Sequence, residues 1–553
     1  MRPLEALACL PPLLLPAGCK GAEPEPLIQI GFSLPAETSF LSQTEAYKAR
    51  VDYLGGATNG LLLEYTLRPG EGLDQLRRDL QATEPGESVR LEVTGLAADP
   101  AAIGDYFVLS RASSGRFSLS SVGPQQLTLF LGQVDTLNRL SSSMQASRRG
   151  HSATRLADDT VLIAGGAGED GVALSSSERF DGGALSLSFG PLPSLDGLEV
   201  ARVYHTAQLL SSEVPTSLEG LVLLAGGDDR ERLAFVYDGA MGLLVPSIDL
   251  TPEAATPTAS GELFDPRTGR FSTTGAMQMP RTFLEGSPLD DGGALICGGL
   301  VADGASAELV VSHGCERFSD GAFASSTPLE TPRVFHQVTR LLDGTVLVTG
   351  GSDALPLSPG SIVPSRSGQA ERFLPDTGAM AGAGSMALAR AGHRAVRLQD
   401  GTVLITGGIG PVLTGRNDET AELELLDAAE IFDPETGSGP NSKPFRLTEP
   451  MVYPRAFHTA TLLPDGQVLI TGGIGATLNA PLPPELYDPA RGTFLPLAAD
   501  TLASAPGLAA TPLQNGVLVS GGAWYPRDPT APADRPSLPE EPATSLRMFI
   551  PGE

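Results

Sequence analysis

The sequence predicts an all-β protein, a seven-bladed β-propeller that follows a small β-sandwich-like domain. Three observations support this prediction. A glycine doublet recurs seven times, each time directly after a short apolar run typical of buried strands. A turn signal such as Asp343-Gly344 precedes most of these runs. After six doublets comes a strand with Glu followed two positions later by an aromatic residue. Units of three or four strands can protect their edges by forming a ring.

The first 18 residues are typical of a secretory signal, with Arg2 as a positive charge and residues 10–15 as a short apolar core. The segment ends Leu15-Pro16-Ala17-Gly18-Cys19, which resembles a bacterial lipobox. The resemblance implies a diacylglycerol anchor on Cys19 and, because Lys20 follows it, sorting to the outer membrane. An ordinary signal peptide with an incidental cysteine is the alternative. No other segment is long enough to span a bilayer, so we expect membrane contact only through the N-terminal lipid.

Residues 19–130 lack the repeat and are predicted to form a separate β-rich domain. Short apolar or alternating stretches, such as 61–65 and 89–93, are separated by turn-rich segments at intervals typical of a β-sandwich. We expect a small sandwich-like domain that acts as a stalk between the lipid and the ring.

Residues 131–553 carry the seven units. Five of them open with Arg-x-x-His, continue through a first strand and a turn, and end a second, apolar strand at the glycine doublet. The last unit ends at 546–550 without a fourth strand, whereas 137–140 stands alone before the first unit. We expect these two segments to pair and close the ring. The doublets are Gly165-Gly166, Gly226-Gly227, Gly298-Gly299, Gly350-Gly351, Gly407-Gly408, Gly472-Gly473 and Gly521-Gly522.

This pattern resembles the kelch family over about residues 131–553, which implies a kelch-type propeller. Kelch units commonly carry Tyr and then Trp after the doublet. Here the first position is mostly Phe, and the second holds Phe271, Phe323, Met380 or Phe494, which are packing substitutions. Galactose oxidase and sialic-acid mutarotases use the same propeller. The copper site of the oxidase cannot be matched residue by residue to this sequence.

Composition and motifs narrow the expected chemistry. The formal net charge of −28 repels a phosphate backbone, so nucleic acid is not an expected partner. The sequence holds no phosphate loop, serine nucleophile elbow or CxxC motif, and we expect no cofactor and no metal. The Arg-x-x-His sites could suggest metal binding, but equivalent positions on different blades are spread around a ring. Hydrogen bonding to a neighbouring blade or loop is the preferred interpretation. Pairs such as Glu178-Arg179 suggest ion pairs between blades.

Two cysteines remain beyond the signal segment and the lipidation site. Cys297 ends the second strand of the third unit, and Cys315 begins its third strand. Because these strands should be antiparallel neighbours in an oxidising compartment, we expect a disulfide. Two buried free thiols are the alternative.

The hypothesis for ligand binding depends on loop length. Links from the second to the third strand vary most, and variable loops on a rigid scaffold tend to mark the functional face; merely tolerated insertions are the alternative. We expect a monomeric, non-enzymatic binding or scaffold lipoprotein that recognises a protein or glycan. A carbohydrate-active enzyme, such as a mutarotase or oxidase, is the other possibility. The longest link carries the candidate residues Asp228, Asp229, Arg230, Arg232 and Tyr237.

Overall fold

The computed structural model leaves the predicted signal segment 1–18 and the lipidation site Cys19 outside the residues that it describes. Within its described ranges, no helix is both long and apolar enough to cross a membrane. The described residues are 28–33, 39–54, 62–67, 76, 88–98, 106–113, 117–118, 125–130, 132–140, 143–181, 197–211, 217–238, 243–249, 256–302, 308–354, 363–364, 368–411, 423–436, 443–475, 482–498, 506–522, 544 and 546–552.

The N-terminal part contains a six-stranded antiparallel sheet and a separate parallel pair of strands. Alternate residues of its central strands are buried, as expected for strands with one face on a core. The predicted sandwich-like packing of these two sheets stays a prediction. The sheet consists of Leu62–Leu67, Ala46–Tyr53, Ser88–Ala98, Tyr106–Ser113, Gly132–Gln133 and Phe117–Ser118; the pair consists of Ile28–Ser33 and Gln125–Phe130, and a short 3-10 helix spans Ser39–Gln43.

The rest of the described chain contains seven small antiparallel sheets with the same strand order, together with shorter sheets on one face. The first, or inner, strands are Ser152–Arg155, Thr206–Leu209, Glu285–Pro288, Gln337–Arg340, Arg394–Arg397, Thr459–Leu462 and Ala509–Leu513. The second strands are Thr160–Ala164, Val222–Ala225, Ala294–Cys297, Val346–Thr349, Val403–Thr406, Val468–Thr471 and Gly516–Ser520. The third strands are Ser177–Asp181, Gly261–Asp265, Cys315–Ser319, Gln369–Leu374, Ala429–Phe432, Glu485–Asp488 and Leu546–Ile550. The fourth strands of units two to six are Arg270–Thr273, Ala322–Ser326, Ala379–Ser385, Phe445–Leu447 and Thr493–Pro496, and a 3-10 turn spans Pro434–Thr436.

The seven sheets form a closed ring. Each inner strand contacts the inner strands of the two neighbouring units, and the inner strand of unit one contacts that of unit seven. The predicted closing strand is present, because Thr136–Arg139 pairs with Leu546–Ile550 as the fourth strand of unit seven. The side chain of Asn138 fixes this strand by donating hydrogen bonds to the carbonyl oxygens of Gln133 and Met548. This all-β ring is a β-propeller.

A buried apolar cluster lies between each pair of neighbouring sheets. The aromatic residue of each third strand packs in the cluster shared with the preceding sheet, and burial of such a side chain contributes about 1.5–3 kcal/mol. In four units it also contacts an aromatic residue of the fourth strand, with ring centroids 4.8–4.9 Å apart. The third-strand aromatics are Phe180, Phe264, Phe318, Phe373, Phe432, Tyr487 and Phe549.

One face of the ring carries additional short strands. The links from second to third strands and the segments that lead into the inner strands emerge at the same ends of the sheets, since successive strands alternate in direction. They pair with each other there, and we call this side the loop face. Its strands are Leu233–Asp238, Leu243–Ile248, Arg281–Thr282, Leu300–Ala302, Leu309–Val311, Ser352–Ala354, Val363–Pro364, Ile409–Pro411, Leu423–Leu425, Arg455–Ala456 and Ile474–Gly475.

Candidate functional site

The arginine of the lead-in segment forms a buried ion pair within its own unit in units one to six. Arg390 illustrates the pattern: its guanidinium lies 2.7 Å from Glu430, and it also donates to the carbonyl oxygens of Gly407 and Ala428. The prediction of ion pairs between blades is therefore wrong for the glutamate of the third strand, because its partner is the lead-in arginine of the same unit. The pairs are Arg148–Glu178, Arg202–Glu262, Arg281–Glu316, Arg333–Glu371, Arg390–Glu430 and Arg455–Glu485.

The same segment joins its unit to the preceding one through the glycine doublet. The backbone N–H of Gly351 donates to the carbonyl oxygen of Arg390 at 2.9 Å. Gly350 has φ of 56°, and a Cβ on it would lie 2.4 Å from that oxygen and 2.5 Å from the His393 ring. The doublet thus provides both the left-handed backbone and the close approach that the neighbouring unit requires.

Four of the five histidines of the repeat hydrogen bond to the preceding unit, as the structural interpretation predicts; they are His151, His205, His393 and His458. The Nε2 atom of His393 lies 2.9 Å from the Thr349 hydroxyl, and that of His458 lies 2.8 Å from the Thr406 hydroxyl. Burial and the adjacent arginine lower the pKa of His151 to about 3, so the rings are neutral at pH 7. Within the described residues, no group of three or more His, Cys, Asp or Glu side chains is arranged to hold a metal ion.

Unit seven carries Leu508 in the histidine position. Leu508 directly precedes the inner strand and packs against Gly522 as His393 packs against Gly408. Gly507 instead has φ of 75° and occupies the preceding position. Two units therefore carry leucine in the histidine position, at Leu284 and Leu508.

The residue before the histidine position forms a ring around the propeller axis, which we call the axial ring. All seven members have positive φ, and four of them are aromatic residues with φ of 51–58°. A bulky residue in this conformation is an outlier that costs of order 1–3 kcal/mol. Because strain of this kind concentrates at functional positions, the axial ring is a candidate site. Its members are Gly150, Tyr204, Phe283, Phe335, Gly392, Phe457 and Gly507.

The aromatic side chains of the axial ring pack on one another. Tyr204 stacks on Phe283 with centroids 4.2 Å apart, and Phe335 contacts Phe283 and Phe457 edge to face at 5.4 and 5.2 Å. The glycine positions make room for these rings, because a Cβ on Gly392 would lie 2.9 Å from a ring carbon of Phe457. All four aromatic side chains are half-buried, so each keeps part of its surface accessible.

A cavity of about 230 Å³ lies at the axis among these rings. Its wall has polar groups from the residues that begin the inner strands of units three to five, which are Glu285, Gln337 and Arg394. Arg394 donates to the Gln337 side-chain oxygen at 3.4 Å and to the His458 carbonyl oxygen at 2.6 Å. Gln337 in turn donates to Glu285 at 3.4 Å. Burial raises the pKa of Glu285, while Arg394 and Gln337 act in the opposite direction.

The long link of unit two reaches the same cavity, but not through Asp228, Asp229, Arg230 or Arg232. Asp228 and Arg232 are buried and form an ion pair with each other at 3.1 Å. Burial raises the pKa of Asp228 to about 6, although Arg232 favours its ionised form. These two residues therefore fix the base of the link, and their role in recognition stays a prediction. Glu231 and Leu233, between and beside them, line the cavity.

Asp229 and Arg230, two of the other predicted ligand residues, lie away from the cavity wall. Asp229 is exposed and accepts a hydrogen bond from the Thr256 N–H at 2.7 Å, and Arg230 is exposed beside Val172 of unit one. Tyr237 lies in the strand Leu233–Asp238, but its side chain lies outside the described set. A role of Asp229, Arg230 and Tyr237 in binding stays a prediction.

Cys297 and Cys315 are register partners on neighbouring strands of unit three and form a disulfide, with Cα atoms 4.2 Å apart. Both residues are buried in the apolar cluster between units three and four. The bridge joins two strands of one sheet and lies apart from the axial cavity.

Sequence reasoning missed the axial ring, although the sequence contains a signal for it. The residue before the histidine is glycine in some units and a large aromatic in others. Such an exchange at one repeat position indicates a backbone that glycine tolerates best and a space that neighbouring side chains share.

No protein-family model matches the chain, and no curated protein matches it. Among solved structures, the chain is similar to one described as "Structure of YjhT", with a TM-score of 0.40 and 11% sequence identity. The match covers 65% of this chain and 99% of that one.

Proposed function

We propose that the chain is a surface-anchored, non-enzymatic binding lipoprotein that recognises a glycan at the axial cavity of the loop face. The observation that carries the proposal is the combination of half-buried aromatic rings with polar groups around one cavity. A sugar ring can stack its C–H face on an aromatic ring, while its hydroxyls bond to amide, carboxylate and guanidinium groups. The lipid anchor is supported by the Leu15–Cys19 sequence.

The volume of the cavity limits the size of the ligand that can enter it. At about 230 Å³ it is smaller than the pockets of about 300–1,000 Å³ that hold drug-sized ligands. We therefore propose that one sugar residue of a glycan enters the cavity. The remainder of the glycan would contact the short strands of the loop face.

A glycan array followed by calorimetry with the best monosaccharide tests this proposal on the full chain. Phe335→Gly removes one stacking surface and keeps the backbone conformation, because Gly150 and Gly392 occupy equivalent positions. We expect about tenfold weaker binding, the effect of about 1.4 kcal/mol. Leu342→Ala is the matched control, since this side chain is 65% exposed in a turn on the opposite face. Equal losses in both variants, or no glycan hit, would contradict the proposal.

A carbohydrate-active enzyme of the mutarotase type is the second candidate, and Glu285 favours it. A carboxyl group with a raised pKa on a cavity wall is suited to general acid–base catalysis. NMR measurement of anomer interconversion in a panel of reducing sugars distinguishes the two functions. Catalysis that Glu285→Gln abolishes would establish the enzyme, whereas binding without catalysis supports the first proposal.

A further inference from the structure

We propose that the sugar ring binds beside Gly507, at a position in the axial ring where an aromatic side chain would otherwise lie. Gly507 belongs to unit seven and lines the axial cavity. It is exposed, whereas Gly392 is buried and Gly150 is half-buried, although all three glycines have φ of 58–75°. The identity of the bound ring as a sugar rests on the proposed function, but the space beside Gly507 does not.

The other two glycines of the axial ring are covered by aromatic side chains of the following unit. A Cβ on Gly150 would lie 2.8 Å from the ring of Tyr204, and a Cβ on Gly392 would lie 2.9 Å from the ring of Phe457. Within the described part of the chain, a Cβ on Gly507 would have only the backbone nitrogen of Gly150 within 4 Å, at 3.7 Å. We call the space beside Gly507 the vacant position.

The packing of the four aromatic residues indicates where a ring in the vacant position would lie. Tyr204 lies over the glycine of the preceding unit, and Phe283 stacks on Tyr204 with centroids 4.2 Å apart. Phe335 in turn contacts Phe283 edge to face at 5.4 Å. Each of these rings thus packs on the axial-ring member of the unit before it. A ring in the vacant position would accordingly pack on Phe457 of unit six, which is half-buried and lines the cavity.

The vacant position suits a six-membered sugar ring. A pyranose is close in size to a phenyl ring, and its C–H face can pack on Phe457. Unit seven lies opposite units three and four in a ring of seven units. The edge of the sugar that points across the axis therefore faces Glu285 and Gln337, which line the same cavity. Their carboxyl and amide groups provide the hydrogen-bond acceptors and donors that sugar hydroxyls need.

Filling the vacant position with a side chain tests the proposal. Gly507→Phe should fold, because Phe283, Phe335 and Phe457 adopt φ of 51–58° at equivalent positions. The full chain is titrated calorimetrically with the methyl glycosides of glucose, galactose, mannose and N-acetylglucosamine. We expect Gly507→Phe to abolish the binding that the unsubstituted chain shows, because the new ring takes the place of the sugar. Gly507→Ala adds only a methyl group and should bind within about threefold of the unsubstituted chain.

Gly378→Phe is the matched control for the substitution. Gly378 also has positive φ, at 67°, and no described residue comes within 4 Å of a Cβ added to it. It lies in a turn between third and fourth strands, on the face opposite the cavity. This variant should bind as the unsubstituted chain does, and thermal melts of all variants check the fold. Binding by Gly507→Phe, or its loss in both phenylalanine variants, would overturn the proposal.

A thiol on the opposite wall of the cavity tests the vacant position without any sugar. In a full chain carrying Cys9→Ser and Cys19→Ser, the other two cysteines are bridged, so Gln337→Cys supplies the single free thiol. Adding Gly507→Phe should slow its modification by benzyl methanethiosulfonate several-fold, whereas adding Gly378→Phe should not. If no sugar binds the unsubstituted chain but the thiol is slowed, the proposed function fails and the vacant position is supported. Equal thiol rates with and without Gly507→Phe would overturn the vacant position, even if a sugar binds.

Discussion

Acidification should weaken the propeller, because five histidines of the repeat stay neutral in the folded state. Burial, reinforced by the nearby lead-in arginine, lowers the pKa of His151 and His336 to about 3. It lowers the pKa of His205, His393 and His458 well below the usual value. In the unfolded chain each of these groups takes up a proton near pH 6.5.

The sign and size of the effect follow from proton linkage. A depressed pKa in the folded state contributes stability that is fully present above pH 6.5 and is lost as pH falls towards 3. At pH 5.5 the loss is about 1.4 kcal/mol for each histidine, or about 7 kcal/mol for five independent groups. Asp228 acts in the opposite direction. Because its pKa in the folded state is about 6, its protonation adds about 1 kcal/mol to the free energy of unfolding as the pH falls from 7.5 to 5.5. The net loss is comparable to the whole stability of a typical domain.

Denaturant unfolding of the full chain at pH 7.5 and 5.5 measures this effect. His336→Leu is a suitable variant, because Leu284 and Leu508 occupy the same position in other units. The variant should lose about 1.4 kcal/mol less than the unsubstituted chain on acidification. Unchanged stability at the two pH values, or NMR signals of these five histidines that titrate near pH 6.5 in the folded protein, would refute the reasoning.

Three further predictions concern covalent and ionic links. Radiolabelled palmitate should enter the chain, and Cys19→Ala should abolish the labelling; labelling that persists would contradict lipidation at that residue. Thiol titration of the unreduced, unfolded mature protein, which lacks Cys9 and carries lipid on Cys19, should show Cys297 and Cys315 blocked; two free thiols would exclude the bridge. Replacing both cysteines by serine should cost about 3 kcal/mol for a closed loop with a sequence separation of 18. Arg390→Met should lower the stability of the folded chain by about 3–5 kcal/mol, because Glu430 then stays buried without its partner. Adding Glu430→Leu should restore much of this loss. Equal stability of the single and double variants in thermal melts would show that the uncompensated charge is not the cause.

The ring could be predicted from the sequence because its signals are local and repeated. A turn such as Asp343-Gly344, the apolar strand after it and the doublet at its end lie within about ten residues, so each unit specifies its own sheet. Even the closing strand was predictable, because 137–140 matches the missing fourth strand of a unit 400 residues later.

The axial cavity could not be predicted in the same way, because each of several units contributes only one or two residues to its wall. Glu285, Gln337 and Arg394 are more than 50 residues apart in sequence, and only closure of the ring brings them to one wall. The sequence predicts ligand contacts from the charged residues of 228–232, because they lie on the longest link and charged residues are mostly exposed. Asp228 and Arg232 satisfy each other inside the link, and a sequence does not distinguish such a pair from two solvated charges.

The free-energy cost of the aromatic residues in the axial ring favours ligand contact at the axis over ligand contact at the outer loops. Glycine at Gly150, Gly392 and Gly507 adopts the required backbone without the strain of order 1–3 kcal/mol that an aromatic residue incurs. Aromatic pairs recover about 0.5–1.5 kcal/mol, and half-burial recovers part of the 1.5–3 kcal/mol available to a fully buried side chain. The four aromatics therefore add little net stability that glycine would not provide. What they add is apolar, partly accessible surface on the wall of a cavity that also holds Glu285 and Arg394, and that surface is what a stacked ligand needs.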